Sequence, residues 1–195
     1  MFNVLTASLD SNSVRLIILI PLAVLIGGYL LYLNRKKPQV KHETPYEYLT
    51  REQLDALSDD ELLSAVIQNL LSKTDPRNPQ PYLTIPALGE ARCSVYCVWL
   101  FTNSVRQNGF AALLKSPDRG FGEMAVTAFE TLGAPACAAA VAAAISAENA
   151  EAISTADEAF LQAAENENPL ASCIPYIRDN AALFCDDTLI ESSEN

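Results

Sequence analysis

The chain has a single histidine, His42, and that shortage removes more chemistry than any other feature of its composition. A Ser, Thr or Cys nucleophile needs a base held beside it, and one imidazole in a polar stretch between prolines cannot meet a buried nucleophile reliably. Glycine is scarce too, at seven in 195 residues. The closest approach to a phosphate loop, Gly120-Phe121-Gly122, lacks both the P-loop lysine and a preceding strand, and reads more simply as a helix start. No stretch sustains the period-two alternation of a half-buried strand, so a sheet is not expected. The acid pairs Asp59-Asp60 and Asp186-Asp187 could bind a divalent ion in principle, but the first falls at an expected helix start, where the dipole favours carboxylates. We therefore expect no catalytic residue, no metal and no cofactor, and a carboxylate or metal enzyme is only the third reading.

Positive charge is the other scarcity. Lys and Arg total 13 against 24 Asp and Glu, and the imbalance is uneven. From His42 onward 8 basic side chains face 23 acidic ones, a balance of −15. From Phe121 onward there is no lysine, and Arg178 stands alone against 13 acids. Such a surface repels nucleic acid and anionic lipid alike, so direct nucleic-acid binding is not expected. An apolar content of 50% nevertheless supplies enough surface to bury, and the chain does not read as disordered.

Five cysteines, Cys93, Cys97, Cys137, Cys173 and Cys185, are an odd number for a disulfide framework. They read as free thiols, buried as small apolar residues. Cys93 and Cys97 stand four apart on an expected helix and could form half of a metal site, but no His or further close Cys pair completes it.

What is present begins with Leu16–Leu33, LIILIPLAVLIGGYLLYL, eighteen residues without a charge. As a helix it would span about 27 Å, close to a hydrocarbon core of about 30 Å. Tyr29 and Tyr32 suit an interface, and the run lacks a small-x-small cleavage site. We expect residues 1–15 outside the cytoplasm, a transmembrane helix over 16–33, and a basic, polar stalk over 34–45. Arg35, Lys36, Lys37 and Lys41 follow the span against Arg15 before it, which predicts an inner-membrane, single-pass protein with its large domain facing the cytoplasm.

Residues 46–185 read as one compact, acidic, all-α domain, followed by an acidic tail over 186–195. Thr50 with Gln53 and Ser58 with Glu61 are capping-box patterns, the second opening a run with Leu62, Leu63, Val66, Ile67, Leu70 and Leu71 at helical spacing. Pro86 is expected to open a central helix reaching about Arg106, with Gly109 ending it. Gly133 is expected to close a helix over about 121–132, and Pro135 to open an alanine-rich inner one. Ser154, with Asp157 three residues on, is expected to start the next helix. Leu170–Phe184 is expected to be the last, with Pro175 near its first turn.

Four segments carry a resemblance: LSDDELLSAVIQNLL, SVYCVWLFTNSV, the turn Asn108-Gly109-Phe110, and FGEMAVTAFETLGA. With FLQAAENENPLASCIPYIRDN, they make most of residues 46–185 similar to the DNA-mimic protein domain family, whose members are acidic, all-helical and often paired as dimers. The family's turn usually has two glycines where this one has Gly109 alone, and a membrane anchor is not part of its usual pattern. The resemblance implies protein partners, foremost a DNA-binding protein drawn off DNA, and a homodimer.

Charge and resemblance together predict a membrane-anchored binding module for a basic, nucleic-acid-binding protein. The alternative is an immunity-type inhibitor of a basic toxin. The expected docking residues are Glu148, Glu151, Asp157, Glu158, Glu165 and Glu167. Of these, Glu151, Glu158 and Glu165 are seven apart and would share one face of any helix unbroken at Ser154.

Overall fold

A computed structural model of the chain describes residues 46–74 and 81–187. The expected membrane span, both its flanks and the residues after 187 lie outside the described residues. Among the described residues no helix is long and apolar enough to cross a membrane. They form eight α-helices with three short 3-10 turns and no strand, the all-α class expected.

The first two helices begin where the capping boxes place them. At α1 (Arg51–Ala56), Thr50 Oγ1 accepts the Gln53 N–H at 3.2 Å, while Gln53 Oε1 accepts the Thr50 N–H at 3.0 Å. At α2 (Asp59–Ser72), the Glu61 carboxylate accepts the Ser58 N–H at 3.3 Å and its hydroxyl at 2.7 Å. Each arrangement satisfies orphan donors that a helix start would leave open. Of the six apolar residues read from the α2 periodicity, Leu62, Val66, Ile67 and Leu70 are buried, Leu63 is half-buried and Leu71 is exposed.

Beyond α3 (Pro81–Thr84), the expected long helix from Pro86 is divided. Pro86–Leu88 is a 3-10 turn, Gly89 turns the chain at φ 109, and α4 (Glu90–Leu113) starts only there. Helical pairing in α4 resumes past a break at Gly109 (φ 71, ψ 169), a backbone conformation open essentially to glycine alone. The centre of α4 is apolar nearly all round, with Val95, Cys97, Val98 and Phe101 fully buried.

A 3-10 turn at Pro117–Phe121 leads into α5 (Gly122–Thr131). Gly133 (φ 77) ends it as expected, with the Ala134 N–H donating back to the Phe129 carbonyl at 2.8 Å. Pro135 opens α6 (Pro135–Ile145), which buries Cys137, Ala138, Ala140, Val141 and Ala144.

Helix α7 runs from Ala150 to Glu167, so the expected start at Ser154 is wrong by a full turn. Asn149, with extended backbone, is the cap: its Oδ1 accepts the Ala152 N–H at 2.9 Å, and Ser154 falls inside the helix. The last helix, α8, is Pro169–Asp179, following the left-handed Asn168 (φ 44, ψ 60). Pro169, not Pro175, therefore holds its first turn, and a 3-10 turn at Ala181–Leu183 replaces its expected final stretch.

Helix α4 lies at the centre and packs against α5, α7 and α8, while α6 packs against both α5 and α7. Phe160 of α7 locks three of these together, meeting Phe110 and Phe129 edge-to-face with ring centroids 5.4 and 5.5 Å apart.

Both ends of the domain are tied by one buried ionic cluster. Asp186 is 5% exposed and accepts from the Leu49 N–H at 2.9 Å, Asn69 Nδ2 at 2.8 Å and Arg92 Nη2 at 3.1 Å, with Lys73 Nζ at 3.0 Å. Arg92, buried beside it, also donates to the Leu183 and Cys185 carbonyls. Asp186 was expected to begin a tail; it is a core residue instead.

Candidate docking face

Because α7 is capped at Asn149 and unbroken at Ser154, Glu151, Glu158 and Glu165 follow one another on a single edge of it, about 10 Å apart. All three are exposed, as is Glu148 just before the cap. The fold thus aligns three of the six expected docking residues into one acidic row, with Glu148 exposed just before the cap.

The other two have work inside the domain. Asp157 is half-buried, and its Oδ1 accepts the Phe110 N–H at 2.6 Å, clasping the turn made by Gly109. A Cβ on Gly109 would stand 2.9 Å from Asp157 Oδ2, so the clasp needs the glycine. Glu167 accepts the Ala136 and Cys137 N–H groups at 2.8 and 2.9 Å and so caps α6 from the end of α7. Desolvation pushes its carboxyl up, but the two N–H bonds outweigh that and hold it below the usual range. Burial and the same carboxylate push the Cys137 thiol up to about 12. Neither role was visible in the sequence, because each partner lies 30 or more residues away.

A shallow groove of about 400 Å³ runs beside the row, lined by Ala136, Ala139 and Ala143 of α6 and by Ala159, Gln162 and Asn166 of α7. Helical pitch puts the glutamate row about a quarter-turn round α7 from the groove. No cation of this half competes for the row. Arg178 donates to the Leu54 and Leu57 carbonyls and pairs with Asp59 at 3.0 Å, across the domain on α1 and α2. The run ACAAAVAAA was the sequence signal for a close helix pair; that the pair would leave an open alanine-lined groove was not readable from it.

Among the described residues no group of three or more His, Cys, Asp and Glu could hold a metal ion. Asp186 and Asp187, considered above as an ion site, are taken up otherwise: Asp186 by Arg92 and Lys73, Asp187 by the Arg51 N–H at 3.4 Å.

Residues 87–180, from the turn before α4 to the end of α8, match the family model described as DMP19-like protein. That match agrees with the DNA-mimic resemblance and covers α4 to α8, the part that carries the acidic row. No curated protein and no solved structure matches the chain.

Proposed function

We propose that this chain is a membrane-tethered acidic docking module that binds a basic, nucleic-acid-binding protein through exposed Glu148 and the exposed row Glu151, Glu158 and Glu165. The observation that carries this reading is the continuous α7, which aligns three exposed glutamates on one edge. Solubility alone does not call for a lysine-free half, whereas complementarity to a basic surface does. The match to the DMP19-like family supports a DNA-mimic role of this kind.

Duplex phosphates repeat every about 3.4 Å along each strand, more closely than glutamates about 10 Å apart. One helix edge therefore imitates only part of a duplex, and a longer imitation draws on acids of other helices or of a second copy. Exposed Glu123 and Glu130 of α5 add charge within the same chain.

The test is association of the full chain with the DNA-binding protein that co-purifies with it, at low and physiological salt, with duplex DNA as competitor. Affinity should fall steeply with salt, DNA and the chain should exclude each other, and Glu151→Lys/Glu158→Lys/Glu165→Lys should slow association at least tenfold. Unchanged association of the folded triple variant at both salt concentrations would place the docking surface elsewhere.

A further inference from the structure

Cys93 and Cys97 stand one turn apart on α4, and their sulfurs are 3.9 Å from each other. Sequence spacing offers them no third ligand. The fold does: Met124 of α5 brings its Sδ to 3.8 Å from Cys93 Sγ, so Cys93 touches two other sulfurs. Sulfurs that share one ion at about 2.3 Å each stand about 3.8 to 4.0 Å apart, for tetrahedral and trigonal angles respectively. Both separations lie in that range before any ion is present.

The donor set selects the metal. Zinc in a structural site takes four nitrogen, sulfur or oxygen ligands, and calcium or magnesium takes only oxygens. Two thiolates and a thioether, with no imidazole or carboxylate among them, make a soft set that favours Cu(I). We propose that Cys93, Cys97 and Met124 form a three-sulfur binding site for Cu(I).

The surroundings fit such an ion. Cys97 is fully buried and Cys93 is 7% exposed, so the site is shielded from water and from oxidants. Met124 is only half-buried, and its unbranched, flexible side chain provides an entry that the two cysteines lack. The ring of Tyr96 lies against Phe121 at 5.3 Å, and both residues pack in the same α4–α5 core. The acidic domain as a whole draws cations toward the site. Binding replaces the two S–H protons, which leave to solvent, and the copper enters and stays as Cu(I), so no electron is transferred. Cys173 and Cys185 are arranged differently, with their thiols donating to the Pro169 and Ala181 carbonyls four residues before them.

The experiment is anaerobic titration of the reduced full chain, in detergent, with Cu(I) against bicinchoninate as competing chelator. One ion per chain should be held, with sulfur-to-copper charge-transfer absorption in the ultraviolet and an X-ray absorption shell of sulfur at about 2.3 Å. Cys93→Ser should weaken binding on the order of 100-fold, and Met124→Leu, which conserves volume and should keep the helical spectrum, on the order of tenfold. If Cys93→Ser does not fold, Met124→Leu decides alone. A wild-type chain that yields all its copper to the chelator, or folded variants that bind as tightly as wild type, would overturn the proposal.

Discussion

Asp186 illustrates how much one residue can decide in this domain. Its carboxylate joins the entry segment at Leu49, α2 through Asn69 and Lys73, and α4 through Arg92. Burial pushes its carboxyl up, but the bonds from Leu49, Asn69 and Lys73 outweigh that and leave it below the ordinary 3.8. A carboxyl depressed in the folded state stabilises at pH values above its unfolded value, and that contribution disappears as pH falls through the folded one. Acid unfolding should accordingly steepen below about pH 4, and Asp186→Asn should flatten that dependence. The same substitution leaves the Arg92 charge buried without its partner, and should cost about 3–5 kcal/mol at neutral pH, read from denaturant midpoints. A loss below about 1 kcal/mol would mean that water replaces the carboxylate readily.

At the scale of the element, helix ends and breaks separate structural acids from exposed ones. Gly109 holds a break in α4 that other residues avoid, and a side chain there would also press on Asp157. Gly109→Ala should cost about 1–3 kcal/mol by thermal or chemical denaturation, and tolerance of it would show that α4 can run straight. Glu167 closes the start of α6, where two N–H groups have no other acceptor within the helix. Glu167→Ala should cost about 1 kcal/mol, whereas Glu151→Gln, Glu158→Gln and Glu165→Gln together should stay within about 0.5 kcal/mol of wild type. Equal losses for the two sets would contradict the division of these acids into a cap and an exposed row.

For the whole molecule the deciding question is where the acidic domain sits. The basic cluster Arg35, Lys36, Lys37 and Lys41 after the apolar run predicts a cytoplasmic carboxyl terminus, where a DNA-binding partner would be found. Alkaline phosphatase fused after Asn195 should therefore be inactive. An active fusion would reverse the orientation and remove the cytoplasmic partner with it.

How much of this was legible beforehand depended on the range of the interaction involved. Local chemistry read well: both capping boxes, the glycine stop at Gly133 and the proline start of α6 depend on neighbours within a few residues, so the sequence alone determined them, as it did the all-helical class. The start of α7 was misread because Ser154 and Asp157 imitate a cap pattern, while Asn149 competes from one turn earlier and wins. Tertiary structure alone decided which acids face outward. Asp157 and Glu167 look like Glu158 and Glu165 in one dimension, and only packing brings Phe110 and the start of α6 within hydrogen-bond reach of the first two. The same holds for sulfur, since Cys93 and Cys97 share a helix by their spacing, but Met124 reaches Cys93 only because α5 folds back on α4. Contacts set by chain geometry over one turn can be read from a string of residues; contacts between helices depend on how the whole core closes, and no local pattern records that.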